Sequence, residues 1–286
     1  MLRIKMSIFY MKKKKETIKA LIELIRPLNC LMVSIGVIIG SFTGIGVDFS
    51  FASLIFLAVL VAVVVNMGGN SLNDYFDREI DIIAHPKRPL PSKRLTPKFV
   101  VIFTVSCFIA GIFFSTFINP FCFAVALVSV IVLILYEKYL KNKGLIGNMA
   151  VAYLTGSIFL FGGAAVGRIM APVILAVLAF FATLAREIIK DVEDIAGDRK
   201  ERQTLPMKIG EKNSVIIADF CLAGAIFLSF LPLVKNILGK GYLIVIIADV
   251  VFIYSMFIAF KNPRSAQKAI KIGMILALIS FLLANI

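Results

Sequence analysis

Two short stretches of this 286-residue chain concentrate its acidic side chains, Asn73 to Asp81 and Asp191 to Asp198. With Glu187 just upstream they supply Asp74, Asp77, Glu79, Asp81, Asp191, Glu193, Asp194 and Asp198, nine of the 17 carboxylates in a protein of formal net charge +14. On a helix, at about 100° per residue, Asn73, Asp77 and Asp81 project from one face, and Asn70 and Asn66 carry that polar stripe back into the preceding apolar segment. Asp191, Asp194 and Asp198 fall within about 60° of one another, one turn beyond Glu187. Carboxylates gathered on one face repel each other unless positive charge sits among them. A solvated helix end paired with local Arg and Lys is one solution. A hard divalent cation is the other, and Mg2+ in particular binds through a few carboxylates completed by substrate phosphates. Basic residues follow each stretch closely, so acid, metal and base together would form a receptor for a diphosphate.

The elements that must position these groups are membrane spans. The chain is 60% hydrophobic, with a mean hydropathy of +0.95, which is too apolar for a soluble globular domain. Apolar runs of about 18 residues or more predict nine transmembrane helices at 22–46, 51–72, 98–118, 121–140, 145–166, 171–189, 214–234, 242–260 and 267–286. The expected fold is all-α, a single integral-membrane domain over 1–286 with a basic arm at 1–20. With the N-terminus in the cytoplasm, 28 of the 31 Lys and Arg residues fall in inner segments, leaving Arg168, Lys235 and Lys240 outside. The positive-inside rule then places both acidic stretches on the cytoplasmic face and the C-terminus outside.

That charge distribution also disposes of nucleic acid as a partner, because the basic residues are spread over five segments with no reading motif. Lys12 to Lys15 are expected to fix topology and touch anionic membrane lipids. Cys30, Cys107, Cys122 and Cys221 sit singly in predicted spans, as packing residues do. Gly36, Gly40 and Gly44 recur every fourth residue and offer a groove for close helix approach. His85 lies in a proline-rich loop, where solvation is the ordinary fate. Asp219 and Asp249 stand inside apolar spans, where a carboxylate is a functional candidate by default.

A diphosphate receptor at the mouth of an apolar bundle suits an isoprenyl diphosphate. Metal and cations stabilise the departing diphosphate, the allylic C–O bond ionises, and a dry cavity protects the carbocation from water.

The runs NDYFDREID and KRPLPS, and later REIIKDVEDIAGDR with TLP, resemble the two aspartate-rich motifs of the UbiA superfamily of intramembrane prenyltransferases. The resemblance extends over essentially the whole chain, including RPLN at the start of the first span. It implies a helical bundle around a central cavity, prenyl transfer assisted by Mg2+, metal ligation by Asn73, Asp77, Asp81, Asp191, Asp194 and Asp198, and catalytic roles for Asp77, Asp81, Asp191 and Asp194. Arg88, Lys141, Lys190, Arg199 and Lys200 are the matching contacts for substrate phosphates. The second motif is more similar to that of archaeal digeranylgeranylglyceryl phosphate synthases than to the hydroxybenzoate type. This implies transfer of a geranylgeranyl group to the free hydroxyl of a lipid-phosphate acceptor, geranylgeranylglyceryl phosphate. Asp74, Asp194 or the released diphosphate could take the hydroxyl proton. Two alternatives stand beside this: an aromatic acceptor of quinone or chlorophyll type, and an ion-coupled transporter, for which Asp249 is the one carboxylate near mid-membrane.

Overall fold

A computed structural model describes residues 15–198 and 203–284. Among them there is no strand, and nine helices are long and apolar enough to cross a membrane. We number the main α-helix of each span α1 (Pro27–Ile45), α2 (Ala52–Asp77), α3 (Pro97–Ser115), α4 (Pro120–Leu135), α5 (Leu145–Ala165), α6 (Met170–Asp198), α7 (Glu211–Ser229), α8 (Val245–Ala259) and α9 (Pro263–Leu283), with adjoining turns extending α4 to Leu140 and starting the α8 span at Lys240.

Local chemistry starts several of these helices at fixed points. Thr96, Asn119 and Asn262 each accept a hydrogen bond from the backbone N–H three residues on, and each precedes a proline at the first helical position. A polar N-cap satisfies an orphan donor, and proline there loses no hydrogen bond because its missing N–H had no partner.

The first span departs from the predicted 22–46. Residues 15–25 are helical, the chain breaks at Arg26, and α1 begins at Pro27. A residue before proline is pushed out of the right-handed helical region, and Arg26 adopts φ 52°, ψ 76°. The helix at 15–25 therefore does not continue the span. Its buried Ala20 and Leu24 pack instead on Leu90, Leu95 and Val100, and Glu23 pairs with Arg94.

α1 lies directly against α5. A Cβ on Gly40 would stand 2.2 Å from the Phe159 carbonyl oxygen, and one on Gly162 would stand 2.1 Å from that of Val37. The approach also lets the Ser41 hydroxyl donate to the Gly162 carbonyl at 2.9 Å. One apolar cluster joins α1, α2, α4 and α5, another joins α6 to α9, and a third ties Ile39 and Phe159 to Leu175, Tyr242, Val245 and Phe281. Outward-facing side chains such as Phe56, Phe220, Phe227 and Phe257 are more than two-thirds exposed, as expected of a surface solvated by lipid.

Between the clusters lies an apolar cavity of about 370 Å³. Asn29 of α1 and Asn66 of α2 line one end of it, and Ser229 and Asp249 line the other.

Candidate active site

The stripe read from the sequence runs from the cavity to the end of α2. Asn66 lines the cavity. Asn70, one turn on, donates to the Ile25 carbonyl at 3.0 Å and accepts from Asn29 at 3.3 Å. Asn73 donates to Asp77 at 3.1 Å and to Glu137 at 3.0 Å. Asp77 is the last helical residue. Three residues of turn follow, and Asp81 opens a separate four-residue helix, Asp81–Ala84.

That interruption separates groups which an unbroken wheel keeps together. The Arg88 Nη1 reaches Asp81 Oδ2 at 2.6 Å, and the same guanidinium lies 3.9 Å from Asp74. Asp74 is buried and receives Arg26 Nη2 at 2.5 Å, while that nitrogen also donates to Asn73 Oδ1 at 2.9 Å. The left-handed backbone at Arg26 thus turns one guanidinium onto two residues of the motif. Lys141 stands 2.7 Å from both oxygens of Asp77 and 3.2 Å from Glu137. Asp74, Asp77 and Asp81 consequently each have a cation partner, from distant segments for the first two and from seven residues along its own connection for Asp81.

Lys141 and Glu137 owe their positions to a wider turn. Tyr136–Leu140 closes with a hydrogen bond from the Lys141 N–H to the Tyr136 carbonyl at 2.9 Å, five residues back. Such π-turns re-aim side chains and recur at functional sites.

In the second motif, Asp191 accepts from Asn148 Nδ2 at 2.8 Å. Glu187 takes Arg186 at 2.5 Å and lies 3.9 Å from Lys190. Asp194 is exposed. Arg199 and Lys200 lie outside the described residues, as does the side chain of Asp198. One connection ties the two motifs: its first half supplies Glu137 and Lys141 to Asp77 and Asn73, and Asn148, just beyond, holds Asp191. Gly144, between them, lies against the backbone of Gln203 and Leu205, where a Cβ would come within 3.1 Å. Both acidic stretches therefore open at the same end of the bundle.

Outside the spans, the Arg94 guanidinium beside Glu23 holds that carboxyl below the usual carboxylate range, and the pairing raises Arg94 in turn. Glu23, Arg26, Asp74, His85, Lys87 and Arg88 line a separate polar cleft of about 470 Å³ at this end.

Among the described residues, no group of three or more His, Cys, Asp or Glu side chains stands close enough to hold a metal ion by itself. Asn73, Asp77 and Asp191 offer hard oxygens without completing a coordination shell. This donor chemistry fits Mg2+, which takes one or two carboxylates and fills the rest from water and phosphate.

Arg26, Glu137 and Asn148 touch the motif residues Asn73, Asp74 and Asp191, and helical spacing missed them. Their only local signal was position, a polar side chain at the mouth of an apolar span.

An apolar cavity lined by seven of the membrane helices, beneath a mouth of acids and cations, defines an intramembrane protein suited to molecules with an ionic head and a hydrocarbon tail. The chain belongs to the UbiA prenyltransferase family, whose model matches residues 33–284, and it is a prenyltransferase. That membership sets aside the ion-transport alternative. The chain is 46% identical over 276 residues to the digeranylgeranylglyceryl phosphate synthase of Methanococcus aeolicus, with 94% of this chain and 98% of the relative covered. It is 40% identical to the synthase of the same name from Methanopyrus kandleri, covering 92% and 98%. A solved structure described as a digeranylgeranylglyceryl phosphate synthase in membranes superposes with a TM-score of 0.87 at 39% identity, covering 94% of this chain and 99% of that one. A UbiA homologue from Archaeoglobus fulgidus, bound to DMAPP and Mg2+, shares the fold with a TM-score of 0.69 at 16% identity, covering 93% and 98%.

Proposed function

We propose that this protein transfers a geranylgeranyl group from geranylgeranyl diphosphate to the free hydroxyl of geranylgeranylglyceryl phosphate, forming the second ether bond of an archaeal membrane lipid. The observation that carries the acceptor is the 46% identity, across nearly the full length of both chains, to a relative named for that product. The geometry supports the donor: a cavity of about 370 Å³ takes the tail, and the acidic mouth takes the head.

Asn73, Asp77 and Asp191 would hold Mg2+, with Asp81, Asp194 and Asp198 the further candidates from the motifs. Bound there, the ion would neutralise charge that builds on the departing diphosphate. Lys141, Lys190 and Arg88 bind the remaining diphosphate oxygens, joined by Arg199 and Lys200. The apolar walls exclude water while the allylic C–O bond breaks and the cation forms at the tail's first carbon. The acceptor hydroxyl attacks that carbon, a C–O bond forms, and the proton passes to the released diphosphate or to a motif carboxylate such as Asp194. The cleft containing Lys87 and Arg88 seats the acceptor's phosphate beside the mouth. Asp74, paired to Arg26, orients the guanidinium in preference to taking the proton. The mouth faces the cytoplasm, where the surplus of Lys and Arg lies.

The test offers purified protein, with Mg2+ and labelled geranylgeranyl diphosphate, either geranylgeranylglyceryl phosphate or 4-hydroxybenzoate. Diphosphate and an ether-linked product should appear with the glycerol lipid alone. Turnover of the aromatic alone would overturn the assignment.

A further inference from the structure

A ring of side chains closes at the mouth, and one member of it has no part in the chemistry described so far. Asn73 Nδ2 donates to Asp77 Oδ2 at 3.1 Å and to Glu137 Oε1 at 3.0 Å. Lys141 Nζ completes the ring, donating to both Asp77 oxygens at 2.7 Å and to Glu137 Oε2 at 3.2 Å. Asn73 and Asp77 belong to the first acidic motif, and Lys141 is a diphosphate contact. Glu137 is the remaining member. A carboxylate beside the seat of a diphosphate opposes its binding unless a cation answers it, so its presence needs a reason.

Exposure separates the two acids that share the lysine. The Asp77 side chain is 22% exposed and that of Glu137 6%, so an ion arriving at the mouth meets Asp77 first. Both Glu137 oxygens are engaged, one by Asn73 and the other by Lys141. A divalent cation on Asp77 competes with Lys141 for the same two oxygens, and like charges that close repel strongly. The lysine must then leave, and an ammonium withdrawn from water without a partner is costly. Glu137, four residues earlier on the same turn, already touches it. The transfer therefore takes rotation of a flexible stem and no movement of backbone.

We infer that Glu137 is the positioning residue that receives Lys141 when Mg2+ takes Asp77. The exchange keeps the ammonium paired and at the mouth, ready for diphosphate oxygens, and lowers the cost of admitting the metal. The inference rests on the prenyl-transfer reading, because that reading puts the metal on Asp77.

The test titrates Mn2+, a spectroscopic stand-in for Mg2+, into full-length protein purified in detergent without diphosphate, and reads free Mn2+ by electron paramagnetic resonance. The site followed is the one that Asp77→Ala abolishes. Glu137→Gln keeps the shape and the acceptor for Asn73 but cannot hold an ammonium, so Mn2+ affinity should fall about tenfold. In a Lys141→Met background there is no lysine to receive, and the same substitution should change affinity by less than about twofold. A Glu137 that ligated the metal itself, or acted through its charge alone, would cost as much or more in that background. Either that result or an unchanged affinity in Glu137→Gln overturns the proposal. Should Glu137→Gln not accumulate in folded form, Glu137→Asp keeps the charge and shortens the reach, and an unchanged affinity there overturns it equally. Wild-type protein without an Asp77-dependent Mn2+ site also overturns it. Failure of prenyl transfer itself shows separately, as no diphosphate released from geranylgeranyl diphosphate with Mg2+ and acceptor present.

Discussion

Asp77 and Asp191 bring their carboxylates to the mouth from two helices, α2 and α6. Asp77 rests on Lys141, a cation able to shift onto an incoming phosphate, and Asp191 on the neutral amide of Asn148. If they ligate the metal as proposed, replacing either by alanine should lower kcat by at least ~100-fold, with the protein still folded and monodisperse in detergent. Near wild-type turnover in either variant would contradict the ligand assignment. The types of residue at the site were legible beforehand, because acids at helical spacing beside a span announce themselves. Their partners were not. Arg26 finds Asp74 from 48 positions away and Lys141 finds Asp77 from 64, and no periodicity in one segment encodes a cation that arrives from another. Asp81 shows the complementary failure, since three residues of turn after Asp77 were enough to hand it to Arg88.

Element boundaries were legible where proline and a polar cap coincide, at Pro97, Pro120 and Pro263. The same rule exposes the misjudged start at 22: Pro27 marks the true beginning of α1, but apolar residues on both sides of Arg26 hid the break. The helix at 15–25 is held down by its apolar face and by the Glu23–Arg94 pair. Glu23 has its acidity strengthened in the folded protein, so its contribution is complete above the ordinary glutamate range and disappears as pH falls through the lowered folded value. Wild type should lose thermal stability in that acid window more steeply than Glu23→Gln, measured by differential scanning fluorimetry at matched ionic strength. Equal slopes would show that the pair does not anchor the helix. The α1 and α5 contact makes a steric prediction. Gly40→Leu would drive a side chain into the Phe159 carbonyl, costing about 3 kcal/mol or more, and should reduce the yield of folded protein several-fold, whereas Gly224→Ala, with open space around it, should be silent.

At the scale of the molecule, the nine spans among the described residues and the lysine asymmetry predict how the chain sits in its bilayer. Alternation puts the loop containing Ser92 on the side of both acidic stretches and the α7–α8 connection containing Lys235 on the other. In inverted and right-side-out vesicles, a membrane-impermeant maleimide should label Ser92→Cys only from the cytoplasmic side and Lys235→Cys only from the outside. Labelling of both from one side would break the span count. The overall architecture was the most legible property of the sequence, since hydrocarbon tolerates little besides closed helices. The cavity was the least legible, because its walls are drawn from seven spans and no single one of them looks unusual.

The ion pairs at the mouth carry a final implication. With Asp74, Asp77 and Asp81 each neutralised by a cation at 2.7 Å or less, an anion that claimed Arg26, Arg88 or Lys141 would have to break a good contact to make a comparable one. Admission favours a visitor that delivers both signs at once, negative oxygens for the lysine and arginines and replacement positive charge for the acids they abandon. Inorganic phosphate presents only half of that password.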